Sequence, residues 1–166
     1  MAAVDDILRS YRAPRAVVRG HLAHPRWEPR LFTFLVAALI VMFIAQWPAA
    51  ARESYLHPEQ KLAALMFGRA MGLLVAVPLF YLLAALGTAA ARLMGGRGDW
   101  YGGRLALFWA LLATAPLMLL QGLTAGFIGA GAQLTLVWAL VTLAFLAIWG
   151  AGLRVSQFEP PAGEAA

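Results

Sequence analysis

The sequence predicts an all-α integral membrane protein, a bundle of four transmembrane helices preceded by an amphipathic helical segment. Residues 31–51, 70–91 and 105–153 contain no Asp, Glu, Lys, Arg or His, in a chain of 166 residues that is 62% apolar. A charge at the centre of a membrane helix costs at least ~2.5 kcal/mol on insertion scales, so stretches emptied of charge belong in hydrocarbon. A soluble domain of this size would carry charge on its solvated faces. A closed barrel also satisfies its own backbone in lipid, but its strands alternate apolar and polar residues, and these stretches do not.

Crossing ~30 Å of hydrocarbon at 1.5 Å per residue takes about 20 residues, so the first two stretches make one helix each. The third makes two. It divides at Gly129-Ala130-Gly131-Ala132-Gln133, where glycines leave the backbone free to turn. The predicted spans are therefore 31–51, 70–91, 105–128 and 134–153, giving a leader over 1–30, a transmembrane domain over 31–153 and a short flexible tail over 154–166. Ala49-Ala50-Ala51 resembles a signal-peptide cleavage site. Both the leader and the apolar run are too long for a secretory signal, which has an apolar core of about 7 to 15 residues, so the first helix is read as uncleaved.

In the leader, Val4, Ile7, Leu8, Tyr11, Val18 and Leu22 recur at helical spacing, with Arg9, Arg12, Arg15 and Arg19 largely between them. Pro14 should end one short helix and open another, because proline is tolerated in a first helical turn. The expected placement is flat on the inner leaflet, apolar residues down and arginines meeting anionic lipid. Docking of the same face on a partner protein is the alternative. His21, His24 and Glu28, like Glu53, His57 and Glu59, have spacings common by chance, and no metal or cofactor site is read from them. The chain has no cysteine, which excludes thiol catalysis and thiolate ligation.

Of the 13 Lys and Arg residues, only Arg52, Lys61 and Arg69 fall in the first loop; the others lie in the leader, the second loop and the tail. Positive residues are retained on the cytoplasmic side, so both termini are expected there, with the bacterial inner membrane as the location. The net charge of +5 thus reflects topology and does not signal nucleic-acid binding. Trp27, Trp47, Trp100, Trp138 and Trp149 mark the predicted span ends, as indole prefers the headgroup level, and Trp109 lies deeper.

The loop Gly95-Gly96-Arg97-Gly98-Asp99-Trp100-Tyr101-Gly102-Gly103-Arg104 is rich in glycine but lacks the Gly-Lys-Ser/Thr ending of a phosphate-binding loop, and no strand precedes it. It reads as a tight turn in which Asp99 caps a helix or pairs with an arginine, while Trp100 and Tyr101 sit at the interface. Within the spans the polar side chains are Thr, Tyr81, Gln46 and Gln121. Ion-coupled carriers and intramembrane proteases need ionisable groups in the bilayer, so these classes are excluded. Gln46 and Gln121 should find hydrogen-bond partners across helices. Gly68 with Gly72, and Gly122 with Gly126, permit close helix approach, and Pro78 and Pro116 should kink their helices.

The Arg19-Gly20-His21-Leu22 segment, the Ala45-Gln46-Trp47-Pro48 close of the first helix, and the run from Gly95 through Trp100-Tyr101-Gly102 to Arg104-Leu105-Ala106-Leu107-Phe108-Trp109-Ala110 resemble bacterial proteins of the Yip1 family, particularly short alphaproteobacterial forms. The resemblance implies a helical bundle with a cytoplasmic N-terminal region and supplies no catalytic residue. Four spans instead of the family's usual five argue against carrying over the link of its eukaryotic members to small GTPases. The expected function is non-enzymatic: helix packing and a basic leader, in an accessory subunit of a membrane complex or a homo-oligomer. A passive transporter or lipid-handling protein using the kinked second and third helices is the alternative.

Overall fold

The computed structural model describes residues 2–159, and they form seven helices: α1 (Ala2–Ser10), α2 (Pro14–Leu22), α3 (Glu28–Ala45), α4 (Trp47–Leu56), α5 (Leu62–Leu93), α6 (Trp100–Phe127) and α7 (Ala132–Phe158). Four helical runs are long and apolar enough to cross a membrane: Glu28–Leu56, which joins α3 and α4, then α5, α6 and α7. The protein is thus a multi-pass all-α membrane bundle. Pro14 divides the leader as expected, and Gly129, at a φ of +88° open to glycine, turns the chain between α6 and α7.

Helix α6 is the axis of the bundle. Every residue from Tyr101 to Ala115 except Arg104 is buried. Helices α3, α5 and α7 each cover part of it. Beyond Pro116 the sheath opens, and only Gly122 and Thr124 are buried.

The leader supplies the missing part of that sheath. Val17 and Val18 are buried in the same core as Leu105, Trp109, Ile148 and Val155, with Ile7 and Leu22 packed against it. The apolar face read as lipid-facing is thus partly packed on the bundle. The leader's inner face is spent on α6 and α7, and the outer face keeps Val4, Leu8 and the arginines exposed. The physical reason is that α3, α5 and α7 alone leave one side of α6 open near Arg104.

At the opposite end, Pro48 has no N–H for the Ile44 carbonyl, and the first span breaks at Gln46 into α3 and α4. Gly122 and Gly126 press into this break: a Cβ on Gly122 would overlap the Ala45 carbonyl oxygen, and one on Gly126 would overlap Pro48. That pair is therefore consumed inside the chain. Gly68 and Gly72 on α5 face open space.

Three expectations need correction. The helices outrun the charge-free stretches, because arginines such as Arg92, Arg104 and Arg154 continue them at the boundary. The tail does not begin at 154: α7 continues to Phe158, with Val155, Ser156 and Gln157 buried, and residues 160–166 of the predicted tail lie outside the described region. No hydrogen bond reaches the side-chain amide of Gln46 or Gln121 among the described residues; both sit half-buried towards the loop side of their spans, and it is the Gln46 backbone carbonyl that is engaged. Pro78 and Pro116 lie inside α5 and α6, as the predicted spans have them, and both are on exposed faces.

Thermal unfolding in detergent should separate the two glycine pairs. Gly122→Ala forces α6 away from the α3–α4 break and should destabilise by roughly 1–3 kcal/mol, the usual range for overpacking. Gly68→Ala, which meets no atom, should be neutral or slightly stabilising.

Candidate functional site

The densest polar architecture lies where the leader, the Gly95–Arg104 loop and the end of α7 meet. Helix α5 ends in a Schellman turn: Gly95 takes a φ of +91°, its N–H bonds the Arg92 carbonyl, and the Gly96 N–H bonds that of Ala91. The chain then crosses α7, where the Arg97 and Gly98 N–H groups both donate to the Gln157 carbonyl at 2.7 and 3.2 Å. A Cβ on Gly98 would overlap the Ser156 carbonyl, and one on Gly103 would overlap the Thr88 hydroxyl of α5. The glycines serve close packing of this loop on its neighbours, so the loop has no vacant phosphate cradle.

Asp99 combines both roles read from the sequence. Its Oδ1 accepts from the Gly102 N–H at 2.8 Å, capping α6, and its Oδ2 pairs with Arg26 at 2.8 Å. The Gln157 amide donates to the Asp99 carbonyl at 3.0 Å. Arg104 pairs with Glu28, and Arg92 lies over the Trp100 ring at 4.6 Å while donating to the Gly98 carbonyl. Tyr101, read as an interface residue, is instead buried, with its hydroxyl accepting from the Trp27 N–H. Trp100 stays partly exposed.

Deeper in, the leader is pinned to α6. Trp109 is fully buried and its indole N–H donates to the Ser10 hydroxyl at 3.0 Å, which in turn donates to the Asp6 carbonyl. The Tyr11 hydroxyl donates to the Ala113 carbonyl at 2.7 Å, next to the Leu112 carbonyl that Pro116 leaves without its helical donor. His21 packs on Trp109 at 4.2 Å and against the edge of Phe34 at 5.4 Å. Arg30 donates to both the His21 carbonyl and Nδ1. A guanidinium only donates, so Nδ1 is the acceptor and the proton sits on Nε2. That Nε2 has no hydrogen-bond partner, with the Asp6 carboxylate 3.8 Å away.

The leader arginines divide in use. Arg19 makes a two-point contact with Glu159 beyond the end of α7, and Arg9 lies 3.9 Å from Asp6. Arg12 and Arg15 make no hydrogen bond or ion pair among the described residues, and both are exposed. At the far end of the bundle, two arginines bond backbone carbonyls at helix ends, one of which, that of Gln46, also accepts the Ala50 N–H. Arg69 donates to the Gln46 carbonyl at 2.6 Å and pairs with Glu53, and Arg52 reaches the last carbonyls of α6 at Gly126 and Phe127. Sequence reasoning counted these two as topology markers and missed their capping role; Pro48 and the α6 end at Gly129 were the available signals. An open cleft of about 710 Å³ beside them is lined by Glu53, Glu59, Lys61, Gly68 and Arg69.

Among the described residues of this site, the acids are held by arginines or a cap, and His21 is packed against aromatic rings. The site orders backbone and presents arginines. Comparison with known protein families, characterised proteins and solved structures found no match to the chain.

Burial, reinforced by the charge of Arg30 and only partly offset by Asp6, lowers the His21 pKa to about 4. An undocked leader would titrate near the ordinary 6.5. Docking is therefore at full strength above pH 6.5 and weakens as pH falls from 6.5 to about 4, by on the order of 3 kcal/mol, since the undocked state binds the extra proton. Limited proteolysis of the leader should rise across that window in the wild type, and His21→Leu should flatten the dependence. Tyr11→Phe, which removes one hydrogen bond, should cost about 0.5–1.5 kcal/mol at any pH in that window.

Proposed function

We propose that this is a non-enzymatic bacterial inner-membrane protein with both termini in the cytoplasm, which works by associating with another membrane helix through the outer face of α5. The observation that carries this reading is the coverage of α5. Its buried residues are only Met66, Ala84, Gly87, Thr88 and Ala91, while Gly68 and Gly72 meet nothing within 4 Å. Apolar exposure alone is the normal condition of a lipid-facing helix. Two glycines a turn apart are different, because they forgo side-chain contact with lipid and let a second backbone approach closely. The companion pair, Gly122 and Gly126, does this work inside the chain.

The cytoplasmic assignment rests on the distribution of arginines along the sequence. The resemblance to the Yip1 family supports a bundle with a cytoplasmic N-terminal region and, like the site chemistry, supports no catalytic activity. Either a second copy or an accessory partner satisfies the α5 face. A transport path through α5 and α6 draws no support, since Pro78 and Pro116 sit on exposed faces and Tyr81 packs against the buried Phe108.

The absence of native cysteine makes the test direct. A single cysteine at Gly72, oxidised in membranes, should give a disulfide-linked dimer, or co-elution of a stoichiometric partner from mild detergent. A Gly68→Leu, Gly72→Leu variant should lose it. A wild-type monomer with no stoichiometric companion would overturn the reading. A periplasm-only reporter fused at the C-terminus should stay silent; activity there would reverse the orientation.

A further inference from the structure

The leader forms a hairpin whose tip packs beside α6 below Arg104. Arg104, paired with Glu28, marks the polar boundary of the bundle. Val18 packs near Gly152, which itself lies against Ala106, and Ser10 hydrogen bonds Trp109, five residues below Arg104 in α6. Tyr11 reaches Ala113, further down. At 1.5 Å per residue, the turn between α1 and α2 sits on the order of 8 Å beneath the boundary. That turn carries Arg12, and Arg15 follows in the first turn of α2.

Three features of this tip ask for an anion. Arg12 lies in the turn, and Arg15 and Arg19, four apart, share one face of α2 that leads from the tip to the Glu159 pair. Arg19 has its acid, whereas Arg12 and Arg15 have none among the described residues. Arg97 and Arg154, which also lack an acid partner there, belong to the loop and to the last turns of α7, near the boundary. In addition, α2 begins at Ala13 with no side-chain cap, and a cation in the first turn opposes the helix dipole. Beside the tip, Val4, Leu8 and Tyr11 present exposed apolar surface. Acyl chains would lie against that surface while the arginines face the level of the ester groups, where an unpaired guanidinium draws phosphate and water inward.

We propose that Arg12 and Arg15 hold the phosphate of a membrane phospholipid, drawn below the headgroup plane at the leader tip. An anionic lipid is preferred because the tip carries more positive charge than one phosphodiester neutralises. The site rests on the docked leader and is independent of α5 association.

Native mass spectrometry of the full chain released from nanodiscs of equal phosphatidylglycerol and phosphatidylcholine tests it. The wild type should retain phosphatidylglycerol preferentially, and Arg12→Gln with Arg15→Gln should weaken retention by about tenfold or more, the scale of two basic residues near an anionic surface. Arg97→Gln with Arg154→Gln should leave it unchanged. Leader proteolysis at pH 7.5 monitors docking, so a Gln variant with its leader docked and its lipid lost supports the site. Equal retention of both lipids by the wild type, or by wild type and the Gln variant, overturns it. Displacement of the retained lipid by millimolar inorganic phosphate would assign the arginines to a free anion and overturn the lipid.

Discussion

Everything in this bundle depends on the need to surround one end of α6. A helix apolar on every side cannot face water or headgroups, and α6 is buried from Tyr101 to Ala115 apart from Arg104. Three spans cannot close that ring. The short helices α1 and α2 close it, and the leader becomes a part of the core through Val17 and Val18, with Trp109 and Tyr11 as its hydrogen-bonded pins. His21, squeezed between Trp109 and Phe34, is kept neutral by that same closure.

A second constraint is backbone satisfaction. Where α6 ends, carbonyls open at the edge of a medium that offers no donor, and Arg52 closes them. At the Pro48 break, Arg69 adds a second donor to the Gln46 carbonyl beside the Ala50 N–H. At the leader end, the Gly95–Arg104 loop does the same with its own N–H groups, donating to Gln157, while Asp99 serves α6 and Arg26 together. Arginine is thus used in two ways in one molecule: as a cap where it finds a carbonyl or a carboxylate, and as an exposed charge at Arg12 and Arg15.

Much of the fold was legible because lipid makes composition speak. The charge-free stretches located the spans, Gly129 located the α6–α7 turn, Pro14 divided the leader, and the position of Asp99 ahead of a helix announced its cap. Span ends were less legible, since arginines that snorkel at the boundary continue a helix while interrupting a hydropathy pattern. The roles of individual polar residues were least so. Tyr101 looked interfacial and is buried; Gln46 looked like a side-chain partner and contributes its carbonyl; Ser10 carried no signal at all, because its importance comes from Trp109, 99 positions away.

By itself, the sequence determined that this protein lives in a membrane as a four-span helical bundle, because the cost of charge in hydrocarbon acts on each residue locally. Tertiary structure alone decided that α6 is the axis, that Gly122 and Gly126 are spent internally while Gly68 and Gly72 remain open, and that the leader is a wall of the bundle. Those outcomes turn on which helix faces meet. Helical periodicity says that a face exists, and only packing chooses what covers it.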